Sequence, residues 1–197
     1  MSLVFTTLFR RANWSLAYNL VSDLFDDAAI ARVERQIDEW LGRIRASHTN
    51  IEAVDRAEGD EIRWFIRMRG EEKDFTTIWL TLGQRTLRYE TYVMPAPEQN
   101  AELLYETILR RNEKLVGAHF SIGVEDAIFL RGELVLTALV ERELDRVIGT
   151  LYSVVEQLFW SLLEIGFAKA KAMRTQLSST RTAERSGKPL GGSSVSN

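Results

Sequence analysis

Cysteine is absent from the 197 residues. That excludes disulfides, thiolate metal sites and a cysteine nucleophile. Histidine occurs twice, as His48 and His119, far apart in sequence and without the neighbour spacing of a metal site. No stretch approaches the run of about 18 apolar residues that a membrane-spanning helix needs. The apolar start of the chain (Leu3, Val4, Phe5, Leu8, Phe9) is cut by Arg10 and Arg11. Its charges follow the apolar run instead of preceding it, the wrong order for a secretory signal, so the sequence predicts a cytoplasmic protein. Phosphate-binding glycine loops, a nucleophile elbow, a His-Glu-x-x-His zinc motif and a calcium loop are all missing. The sequence therefore predicts no catalytic residue, no metal site and no cofactor. A surplus of one charge is missing too: Lys+Arg 25 against Asp+Glu 28 gives −3, so bulk charge recruits no class of partner.

The small net charge conceals a split. Residues 168–197 hold six basic residues (Lys169, Lys171, Arg174, Arg181, Arg185, Lys188) and one acid, Glu184, for +5, which leaves −8 on residues 1–167. From Ser178 onward the chain is rich in Ser, Thr and Gly, a composition that buries too little surface to offset ordering entropy. The expected organisation is an apolar N-terminal segment over 1–22, a single domain over 23–167, and a basic, mostly disordered tail over 168–197.

Hydrophobic periodicity divides the body. Over Asp26–Ala46, Ile30, Val33, Ile37, Trp40, Leu41 and Ile44 recur at three and four, the stripe of an amphipathic helix that Asp26 or Asp27 can cap. Four runs then alternate: Ile51–Ala57, Glu61–Arg69, Phe75–Leu82 and Thr86–Met94. Period two predicts strands, and the short polar, glycine-containing links between them predict an antiparallel meander. Pro95 and Pro97 end the sheet, and Pro97 suits the first position of a second helix, with Ala101, Leu104, Tyr105, Ile108 and Leu109 as its stripe. Two more strands follow, His119–Val124 and Ala127–Leu136. A long helix from about Val140 to Phe167 closes the body, with Tyr152, Val154, Phe159, Trp160 and Phe167 flanking its main stripe. That apolar surplus predicts a homodimer. The predicted class is α+β, an antiparallel sheet with helices on one face, in the order α-β-β-β-β-α-β-β-α.

Assigning the aliphatic side of each strand to the helices leaves a second face. It carries Arg63, Phe65 and Arg67, then Phe75, Thr77, Trp79 and Thr81, then Arg88, Glu90 and Tyr92, and finally His119, Ser121, Phe129 and Arg131. Aromatic residues with arginine and threonine are interface-core composition. The predicted partner-binding residues are Arg63, Phe65, Arg67, Trp79, Arg88, Tyr92, Phe129 and Arg131. Two other readings stand beside this one: residues 1–20 or a tail segment cover the face, or its aromatics stack RNA bases, which the −8 body opposes.

Certain strings also resemble the bacterial YbjN-like family. They are Thr86-Leu-Arg-Tyr-Glu-Thr-Tyr, Pro97 with a helix ending Arg110-Arg-Asn, His119-Phe-Ser-Ile-Gly-Val-Glu-Asp, Ile128-Phe-Leu-Arg-Gly-Glu-Leu and Glu143-Leu-Asp-Arg-Val. The resemblance covers about residues 27–167. It implies sensory transduction regulators similar in fold to type III secretion chaperones, binding protein partners, often dimeric, with no catalytic residue to carry over. The expected function is a non-catalytic, chaperone-like or regulatory protein-binding module. The alternative is an enzyme or small-ligand domain with a pocket that no motif reveals.

Overall fold

The computed structural model describes residues 26–59 and 61–185, so the segment 1–22 and the last residues of the expected tail, 186–197, lie outside the described residues. Helix α1 spans Asp27–Ser47, and the Asp26 carboxylate accepts from the Ala29 N–H at 2.7 Å, the cap that the sequence offered. Strands β1 (Ile51–Arg56), β2 (Arg63–Arg69), β3 (Phe75–Leu82) and β4 (Thr86–Met94) follow as an antiparallel meander. Helix α2 (Ala101–Asn112) follows on the same face of the sheet as α1. The chain returns as the hairpin β5 (His119–Ile122) and β6 (Ile128–Val135), and β6 inserts between β4 and β5. The six strands lie in the order β1-β2-β3-β4-β6-β5, all pairs antiparallel. Helix α3 (Glu141–Gly166) packs back across β3 and β4.

One core fills the space between the sheet and α1, α2 and α3. Ile37, Leu41 and Ile44 of α1, Leu104 and Ile108 of α2, and Leu144, Val147, Ile148, Leu151 and Val155 of α3 enter it. Trp64, Ile66, Met68, Ile78, Leu80, Leu82, Leu87 and Tyr89 enter from the sheet. The α+β class, the strand alternation and the single helical face all match the sequence reading.

Two expectations are corrected. Pro97 does not open α2. The chain first makes a turn in which the Glu98 and Gln99 N–H groups both donate to the Gly166 carbonyl, and Asn100 in the left-handed region precedes the helix. The docking of this turn on the end of α3 moves the helix start to Ala101. The segment expected as a disordered tail instead forms a further helix, α4 (Ala170–Arg185). Its apolar positions Ala170, Met173 and Leu177 recur at three and four, and Ala170 is buried against the body. A mean composition weighted by Ser, Thr and Arg hid that stripe.

Candidate functional site

Each strand puts alternate side chains on the face away from the helices, and cross-strand pairing brings them into rows. The central row runs Asp55, Phe65, Trp79, Glu90, Arg131 and His119 across the whole sheet. A second row sets Arg63 opposite Thr81, then Arg88, then Glu133. Tyr92, Phe129 and Ser121 form a third on the β4–β6–β5 side. Among the described residues, no helix packs on this face. All eight residues expected for partner binding stand on it.

The structure separates them by role. Phe129 is only 8% exposed. Trp79 lies 6.0 Å from it between centroids, Tyr92 meets it edge-on at 5.7 Å, and the Arg131 guanidinium lies 5.0 Å above its ring. Gly123 in the β5–β6 hairpin makes this fit possible, since a Cβ there would run into the Phe129 ring. Phe129 is thus the floor of the face, a correction to its expected place among the contact residues. Arg131 pairs with Glu90 at 3.3 Å, and Arg63 donates to the Thr81 hydroxyl at 3.0 Å. Arg67 lies over Phe75 at 4.0 Å. Arg67, Arg88 and Tyr92 are the exposed members, Tyr92 being 36% exposed. Among the described residues no hydrogen bond or ion pair holds the Arg88 guanidinium. Burial raises the Tyr92 phenol above its ordinary value, with the Glu125 carboxylate adding to the shift. The face offers a patch of partly exposed aromatics, Phe65, Trp79 and Tyr92, bordered by arginines that can fork to carboxylates or stack on rings.

A second feature was not legible as a site. A groove of about 700 Å³ opens between the β2–β3 turn, the end of α3, and α4. Phe75, Phe159, Trp160, Phe167, Met173 and Leu177 line its apolar walls, and Glu72, Asp74 and Glu98 stand on its rim. Its β2–β3 side is held firmly. The Glu156 carboxylate of α3 accepts from the N–H groups of Glu71 (2.7 Å), Glu72 (2.9 Å) and Lys73 (3.2 Å). Trp160 donates its indole N–H to the Glu72 carbonyl at 3.1 Å, and the Tyr152 hydroxyl donates to the Arg69 carbonyl at 3.1 Å. The Lys73 ammonium donates to the carbonyls of Tyr92 and Val93, and burial pushes its pKa down to about 8 against the attraction of Glu156. Of the surplus apolar residues of α3 and its C-cap, Tyr152 and Trp160 anchor the turn, and Trp160, Phe159 and Phe167 line the groove. The signal for α4's share was Ala170, Met173 and Leu177 at successive spacings of three and four. His119 stands on the sheet and does not line the groove. Among the described residues no group of three His, Asp or Glu side chains is placed to hold a metal ion, and no helix is long and apolar enough to cross a membrane.

Residues 33–164 match the model of a protein family described as "YbjN: Putative bacterial sensory transduction regulator". Uncharacterized proteins of Mycobacterium bovis and Mycobacterium tuberculosis are 35% identical over 102 residues, 52% of this chain and 56% of theirs. An uncharacterized protein of Mycobacterium leprae is 29% identical over 124 residues, 63% of this chain and 67% of its own. The match to the first of these thus spans little more than half the length of the curated relatives. Among solved structures, the crystal structure of the ExsC–ExsE complex is similar with a TM-score of 0.48 and 15% identity, over 66% of this chain and 92% of that one.

Proposed function

The chain belongs to the YbjN family, and on that premise we propose that it is a non-catalytic regulatory module that binds another protein through the outer face of its sheet. The observation that carries this reading is the face itself. A six-stranded sheet shows Phe65, Trp79 and Tyr92 beside Arg67 and Arg88, and no described element covers them. Apolar patches of this kind usually mark contacts. The partner is a protein rather than a nucleic acid, because residues 1–167 carry −8 and phosphate binding calls for a basic field. Exposed arginines beside aromatics suit a partner surface with carboxylates and rings. The module acts in the cytoplasm and as a homodimer, the latter in keeping with the apolar groove at the end of α3.

Site-specific photo-crosslinking in the native host tests the surface. A crosslinking residue at Arg88 gives a covalent adduct with another polypeptide. The same residue at Leu109, exposed on α2 on the opposite side, gives none. Adducts from Leu109 with none from Arg88 would overturn the assignment.

A further inference from the structure

The groove beside α4 adjoins the outer sheet face at Phe75, the ring on which Arg67 lies, but its other walls belong to α3 and α4 and its chemistry is its own. We propose that it receives helix α4 of a second copy of this chain, so that two protomers exchange contacts through their α3–α4 ends. This inference rests on the homodimer reading above and names the surface that makes the dimer.

Three observations carry it. First, α4 is amphipathic but only partly partnered. Ala170 is buried against its own body, whereas Met173 is 55% and Leu177 42% exposed, and both lie on the groove wall. The helix's own docking therefore leaves the groove open.

Second, the charges are complementary. Residues 169–180 bear Lys169, Lys171 and Arg174 and no carboxylate. The body contributes Glu72, Asp74 and Glu98 to the groove rim. Lys73, on the same rim, points its ammonium at two backbone carbonyls. Within one chain Arg174 already bridges to Glu164 at 3.2 Å and lies 3.9 Å from Glu72, so this helix and this wall attract each other.

Third, each protomer supplies one apolar basic helix and one apolar groove whose body side carries Glu72, Asp74 and Glu98 beside Lys73. Arranged about a two-fold axis, such a surface is self-complementary and the contact closes at two copies. An amphipathic helix laid into an apolar groove is a recurrent recognition mode, with anchors at the three-and-four spacing that Met173 and Leu177 have. The aromatic walls, Phe159 meeting Trp160 edge-on at 5.4 Å, provide the rigid pocket into which such anchors fit.

Sedimentation and light scattering of the full chain at tens of micromolar test the proposal, with melting temperature and helical circular dichroism recorded for every variant. The expected result is a wild-type dimer. Met173→Glu and Leu177→Glu each place a charge in an apolar contact and weaken dimerisation by about tenfold or more. Leu177→Met keeps the dimer, and all three variants keep the melting temperature of the body. A dimer indifferent to both glutamate variants would overturn the groove as the interface while leaving the homodimer reading intact. A wild-type monomer would overturn both. If that monomer also lost stability on Leu177→Glu, the chain itself would be shown to fill the groove.

Discussion

Trp64 and Trp79 show how one residue type is assigned opposite roles by register. Both lie on neighbouring strands, Trp64 opposite Leu80 and Trp79 opposite Phe65, one position apart in the pairing. Period two sends Trp64 inward, where it is 2% exposed and donates its indole N–H to Asp38 at 2.6 Å. It sends Trp79 outward, where it leans on Phe129 and remains partly exposed. Trp64→Ala removes a core aromatic and costs about 3–5 kcal/mol in chemical denaturation. Trp79→Ser costs about 1 kcal/mol in the same experiment, since it removes part of a surface contact. A loss of about 3 kcal/mol at Trp79 would show that the chain itself covers this face. Lys73 offers a pH signature. Its folded pKa of about 8 lies below the ordinary 10.5, so the unfolded chain binds more protons between those values. Stability attributable to this group therefore rises as pH increases from about 8 to about 10.5, and the rise is missing in Lys73→Met. Thermal denaturation of both proteins across that range measures the difference. Side-chain alternation made the face assignment of both tryptophans legible. The environment of Lys73 was not, because a lysine in a polar turn gives no sign that α3 and β4 will close over it.

At the scale of elements, the sequence carries the strands better than their joints. β3 and β4 stand at the expected residues because alternation starts and stops sharply there. The ends of α2 and the existence of α4 depend on contacts between distant segments, the Gly166 carbonyl with residues 98 and 99, and Ala170 with the body, which no local window holds. The β2–β3 turn is a similar case. Three of its N–H groups converge on Glu156, and Gly70 leaves the space, since a Cβ there would strike that carboxylate and the Lys73 carbonyl. Glu156→Ala leaves those donors without their acceptor and costs about 1–3 kcal/mol. Amide hydrogen exchange at Glu71 and Glu72 then accelerates, while exchange in β3 and β4 changes little. Unchanged protection at the two turn amides would mean that the turn holds its shape without α3.

At the scale of the whole molecule, the chain puts all its described helices on the core side or at the end of the sheet and leaves one face of six strands uncovered. The family and the fold class could both be read from short strings and periodicity. The partition of the outer face could not, because only the folded register shows Phe129 as floor and Phe65, Trp79, Tyr92, Arg67 and Arg88 as the surface above it. The central claim is that this surface recognises a protein. The measurement that tests it most directly is affinity capture from the native host followed by mass spectrometry, wild type against the double variant Arg67→Glu with Trp79→Ser, at matched melting temperature. The account predicts a specific partner recovered with the wild type and lost with the double variant. Recovery of the same partner in equal amount by the folded double variant would contradict it.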